Sequence, residues 1–147
     1  MSQRPVLPYV LGIAGLIPFV GLAVYATVLN TPSAAIAGTL LLAYGAVILS
    51  FLGGSRWGAE IHRRPDVPSP AILCLAMLPS LTGWAAMIVA VVATAAPAYW
   101  LLVLAFVMQM LWDMTAIRNG TFPRWYMPLR IGLTVIVAAS LIAAATF

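Results

Sequence analysis

Five long apolar runs, separated by short breaks, organise this sequence. They cover about residues 8–29, 34–61, 71–93, 99–117 and 129–147. Asn30, Thr31 and Pro32 interrupt the first run, and the second carries Arg56 and Glu60 near its end. A polar loop with three prolines follows at residues 62–70, then a short neutral turn from Thr94 to Ala98, and a second polar loop from Arg118 to Pro128. A membrane-spanning helix takes about 20 predominantly apolar residues, so each run predicts one span. Strands are excluded by the pattern: a membrane barrel alternates apolar and polar positions in segments of about ten, whereas these runs are continuous and longer. A helix also satisfies its own backbone amides within lipid. The predicted fold is therefore all-α, an integral membrane bundle of five transmembrane helices forming one membrane domain over residues 1–147.

Composition agrees and narrows the chemistry. The 147 residues are 64% hydrophobic and 7% charged, against about 45–50% apolar and roughly 25% charged in a soluble domain. That balance excludes a soluble fold and a disordered chain. All seven basic residues are arginine, so a Schiff-base site and a Walker-type phosphate loop both lack their lysine. One cysteine, Cys74, and one histidine, His62, exclude an intrachain disulfide, a cysteine-based metal site and bis-histidine haem ligation. Glu60, Asp66 and Asp113 are too few acidic groups for a dicarboxylate metal centre of the bundle type. No cofactor and no metal is expected. The net charge of +4 does not point to nucleic acid, because the arginines lie at the ends of apolar runs, where they set topology.

The arginines also predict an orientation. Arg4 precedes the first run, Arg63 and Arg64 follow the second, and Arg118, Arg124 and Arg130 flank the second polar loop. With five spans all of these fall on one side, which the positive-inside rule makes the cytoplasm, or the matrix in a mitochondrion. The N-terminus is then inside and the C-terminus outside. The first run is too long for a secretory h-region of about 7–15 residues and is expected to stay as a span. Tyr9, Trp57, Trp125 and Tyr126 fall at the inner boundary and Tyr99 and Trp100 at the outer one, the depth that amphipathic rings favour.

Candidate chemistry concentrates at the inner boundary. Arg56 and Glu60 are four apart and share a helix face. Span four runs antiparallel to span two and carries Asp113 at a similar depth, which predicts that Arg56 and Asp113 approach each other; a bridge that fixes packing and a polar binding site are the two roles open to them. Gly54 and Gly58, next to Gly53, form a small-xxx-small pair that predicts a helix-packing seam. Pro18 and Pro79 lie inside spans and predict kinks. Trp112 with Met108, Met110 and Met114 would pack against lipid or line an apolar pocket. Trp125, Tyr126, Arg124 and Arg130 in the second polar loop would anchor it among headgroups or meet a partner. Ser50, Ser55 and Ser80 have no histidine at their depth, so an enzyme with a nucleophile and a base is not expected.

Three stretches carry a resemblance. Gly15-Leu-Ile-Pro-Phe19, Ser50-Phe-Leu-Gly-Gly-Ser-Arg-Trp-Gly58 and Pro123-Arg-Trp-Tyr-Met-Pro-Leu-Arg-Ile-Gly-Leu-Thr134 resemble the small membrane family called domain of unknown function three-four-two-nine. That family includes bacterial proteins and a mitochondrial inner-membrane relative. The resemblance implies a multi-span protein of an energy-conserving membrane, assigns no catalytic residue, and draws attention to Gly53, Gly54, Arg56, Trp57, Gly58, Trp125 and Arg130 as one group. The expected role is non-enzymatic: an accessory subunit or assembly factor acting by helix contact in a bacterial inner membrane, with lipid and other membrane subunits or a second copy as partners. The alternative is a small-molecule or ion binder or transporter that uses Arg56, Glu60 and Asp113.

Overall fold

The computed structural model describes residues 5–29 and 31–147, so the expectations for Arg4 and Asn30 lie outside the described residues. Within them are five helices: α1 (Val6–Val28), α2 (Ala34–Arg63), α3 (Pro70–Val92), α4 (Ala95–Arg118) and α5 (Tyr126–Thr146). Each is long and apolar enough to cross a membrane. No strand occurs among the described residues.

Local chemistry explains where the helices begin and end. Pro70 opens α3 at a position where a missing amide costs nothing. The same tolerance moves two predicted boundaries. Pro97 and Pro128 each occupy the third residue of a helix, inside the turn whose amides have no intrahelical acceptor anyway. So α4 starts at Ala95 rather than near residue 99, and α5 at Tyr126 rather than near 129. Helix α4 ends at Arg118, and Gly120 just beyond it takes a positive φ (+73°). The Thr121 amide donates to the Ala116 carbonyl at 2.8 Å and the Gly120 amide to Ile117 at 3.2 Å, a Schellman closure that reverses the chain tightly into α5.

Helix α2 runs unbroken through Gly53 and Gly54 for 30 residues. At 1.5 Å per residue that is about 45 Å, well beyond a hydrocarbon core of about 30 Å. Its last turns, with Glu60 and Arg63, reach the segment that leads into α3 and the α4–α5 turn. Tyr9 Oη donates to the Trp125 carbonyl (3.0 Å), Arg63 Nη1 to Thr121 Oγ1 (2.7 Å) and the Ser69 amide to Glu60 Oε1 (2.7 Å). These bonds gather the start of α1, the end of α2, the start of α3 and the α4–α5 turn at one end of the bundle. Arg56, Arg63, Arg64, Arg118, Arg124 and Arg130 all belong to that charged end.

The helices close into a ring in chain order. α1 packs on α2 and α5, α3 on α2 and α4, α4 on α5, and α2 touches α4 across the middle. The buried core includes Phe19, Leu41, Leu42, Leu49, Leu102, Phe106 and Leu141. Phe19 meets Phe106 edge-on with centroids 5.9 Å apart. Proline 79 is buried and Pro18 is partly buried, both inside continuous helices.

Of the three glycines expected at a packing seam, Gly53, Gly54 and Gly58, only Gly53 meets another helix. A Cβ on Gly53 would stand 2.5 Å from the Ala76 carbonyl oxygen, and one on Gly83 would stand 2.9 Å from Ala46 Cα. These two contacts, seven residues apart on each helix, bring α2 and α3 together. Gly54 and Gly58 have nothing within 4 Å of an added Cβ and are exposed. Their pair lies on the outer face of α2, because Gly53 already directs the adjacent face toward α3.

Candidate functional site

Towards the charged end the apolar core gives way to buried polar groups. Arg56 and Glu60 come from α2, Gln109 and Asp113 from α4, and Arg130 and Thr134 from α5. Asp113 is completely buried. Its Oδ2 accepts from Arg130 Nε at 2.7 Å and its Oδ1 from Gln109 Nε2 at 3.0 Å. Gln109 stands one helical turn before Asp113, so both project from one face. Arg130 and Thr134 repeat that spacing on α5, with Nη1 3.4 Å from the Thr134 hydroxyl. The arrangement gives the carboxylate one charged and one neutral donor, which offsets the cost of burying it.

This geometry corrects the expected pairing. Asp113 bridges to Arg130, not to Arg56. The reason is connectivity: a tight turn makes α4 and α5 antiparallel neighbours, and the two residues lie at matching distances from it. Arg130 is therefore buried between helices rather than at a headgroup surface. In the sequence this pairing is carried by the four-residue spacing of Gln109 to Asp113 and of Arg130 to Thr134; depth in spans two and four alone does not contain it.

Arg56 is treated differently. Its guanidinium stacks over the Trp112 ring, 4.1 Å from the centroid, with Phe122 at 5.6 Å. It is buried, its Nε has no hydrogen-bond partner, and Asp113 and Glu60 act on it only through space. Arg130 Nη2 is likewise without a partner. Glu60 turns away from the cluster: it accepts the Ser69 amide at the start of α3 and lies 3.8 Å from Arg64 Nη1. The expected Arg56–Glu60–Asp113 set is thus divided into an Asp113–Arg130 pair, an aromatic-stacked Arg56, and a Glu60 that ties α2 to α3.

The other predicted residues fall around this cluster. Trp57 is partly exposed on α2 beside Gly58. Trp125 packs against Tyr9 and Tyr126, with centroids 6.2 and 5.9 Å apart. Trp112 supplies the ring under Arg56, and Met108 is exposed in an apolar groove between α3 and α4. A second cleft of about 600 Å³ lies between α1, α2 and α5, with Phe106 of α4 at its back and Arg130 and Tyr126 towards the charged end.

A bundle of five spanning helices with a buried ionic cluster defines a multi-pass membrane protein. Residues 4–146 match the family described as Protein of unknown function (DUF3429), and the chain belongs to that family. It is 36% identical over 135 residues to Transmembrane protein 69 of Xenopus tropicalis, an alignment covering 90% of this chain and 51% of that protein. The chain thus spans about half the length of that relative. No solved structure matches the chain.

Proposed function

We propose that this is a non-enzymatic membrane protein that acts by helix contact, as an accessory subunit or assembly factor of a larger respiratory or photosynthetic complex in a bacterial cytoplasmic membrane. The observation that carries this reading is the outer face of α2. Val47, Phe51, Gly54, Gly58 and Ile61 are all exposed there, at spacings that align them along one stripe. The two glycines have nothing from their own chain above them, and a small-xxx-small pair lets a second backbone approach closely in lipid.

The test is a photo-crosslinking residue placed at Ile61 in the native membrane. A single cross-linked subunit of a larger complex is expected, lost in Gly58→Leu while the fold keeps its stability within about 0.5 kcal/mol. No product, or a product indifferent to Gly58→Leu, would refute the reading. A product of twice the chain mass would assign the face to self-association. The same reading puts the arginine-rich end in the cytoplasm. A fluorescent protein at the N-terminus should then fold and fluoresce, and alkaline phosphatase at the C-terminus should be active; the reverse pattern would invert the topology.

A second reading has its own support. A buried guanidinium that makes no hydrogen bond within the described residues, Arg56, beside an ion pair with a spare N–H, is suited to hold a small molecule or anion.

A further inference from the structure

The cleft between α1, α2 and α5 has the dimensions of one lipid chain. Its volume of about 600 Å³ is that of an ordinary small-ligand site. Along α1 it extends from Pro8 to Phe19 and along α5 from Tyr126 to Val137. Eleven residues at 1.5 Å each give a depth of about 16 Å, close to half of a hydrocarbon core of about 30 Å. It therefore runs from the charged boundary to mid-membrane, the length of one leaflet. Gly15 holds the α1 wall low, Gly12 lets α1 close on Leu129 and Leu133 of α5, and Phe51, Leu133 and their neighbours make the walls apolar.

Its charged end has donors to spare. Arg130 lines the cleft, is only 4% exposed, and has no partner for Nη2. Tyr126 lines it too, and its hydroxyl makes no hydrogen bond among the described residues. Among the described residues, the only carboxylate that bonds either buried arginine is Asp113, which pairs with Arg130; Glu60 acts on Arg56 through space alone while it meets the Ser69 amide and Arg64. Free guanidinium N–H groups in a buried site favour an anion over a neutral head.

We propose that this cleft holds an acyl chain of an amphiphile whose anionic head, phosphate or carboxylate, rests against Arg130 and Tyr126. The inference rests on the second reading above and supplies its ligand class. The experiment is native mass spectrometry of the purified, delipidated full chain in dodecyl maltoside, titrated with dioleoyl-phosphatidylglycerol, dioleoyl-phosphatidylcholine or oleate. One anionic amphiphile per chain is expected, preferred over phosphatidylcholine by at least about tenfold, the factor of one charge-assisted contact. The stronger of phosphatidylglycerol and oleate identifies the head as phosphate or carboxylate.

Gly15→Leu should abolish the adduct by filling the cleft; an added Cβ there meets Tyr44 Oη at 3.8 Å, an ordinary contact, and an unchanged unfolding midpoint marks the variant as folded. Tyr126→Phe, which leaves the Asp113–Arg130 pair intact, should weaken the preference for anions. Equal binding of phosphatidylcholine, or an adduct that survives Gly15→Leu, overturns the proposal. A parallel titration with inorganic sulfate, read by thermal unfolding in the parent and in Arg56→Gln, separates the two levels. Sulfate stabilisation that needs Arg56, without an amphiphile adduct, leaves the second reading standing and removes this inference; neither response removes both.

Discussion

Replacing Asp113 by asparagine, or Arg130 by methionine, is expected to destabilise the bundle by about 3–5 kcal/mol, the usual loss when one member of a buried ion pair is removed. The magnitude follows from what is left behind. Without Arg130, a fully buried carboxylate keeps only the Gln109 amide. Without the Asp113 charge, the Arg130 guanidinium keeps only the long contact to Thr134. The double replacement Asp113→Leu with Arg130→Met should recover most of the loss, because an apolar pair of similar volume removes both desolvation penalties together. Reversible unfolding in mixed detergent micelles measures all of these. A double-mutant cycle for Asp113 and Arg130 should return a coupling of about 2–3 kcal/mol, and the corresponding cycle for Asp113 and Arg56 under about 1 kcal/mol. Equal couplings in the two cycles would mean that the carboxylate is shared between the arginines and that the aromatic stack does not hold Arg56 apart.

The contrast between these cycles marks how far the sequence could be read. Span number and helix character follow from run length alone, because lipid permits so few alternatives for a continuous apolar segment. The level of the polar cluster was legible too: Arg56, Asp113 and Arg130 are costly in lipid wherever they lie, so their positions along the runs mark the depth of the site. Which groups pair was not legible from depth. Depth is a one-dimensional coordinate, and three arginine or carboxylate side chains at one depth can pair in several ways. The choice is made by rotation of each helix about its axis and by which helices are neighbours. The Gly120 turn settles the second by placing α5 against α4, and the Gln109 and Thr134 spacings settle the first. The cleft was hidden for another reason: it is a property of helix separation, and nothing in the Gly12 and Gly15 positions distinguishes a wall of a cavity from a packed contact.

The glycines of α2 give the other large expected effect, and they divide within a single dipeptide. Gly53→Ala should cost about 1–3 kcal/mol, the range for overpacking a well-filled contact, and Gly53→Val more. The obstacle at Gly53 is a backbone carbonyl oxygen, Ala76 O, 2.5 Å from the new Cβ. No rotamer change relieves it, so α2 and α3 must separate along the seam, and the Pro79 ring, 3.2 Å away, blocks a sideways shift. Gly83→Ala meets Ala46 Cα at 2.9 Å and should behave similarly, with partial relief from Ala46→Gly because the Ala46 Cβ at 3.0 Å is part of its obstacle. Gly54→Ala has open space and should be neutral within about 0.5 kcal/mol, or slightly stabilising through the better helix propensity of alanine. The series is read from unfolding midpoints in one detergent. If Gly54→Ala proved as costly as Gly53→Ala, the α2–α3 seam would be rotated by one residue, and the outer face assigned to Gly54 and Gly58 would be an internal one.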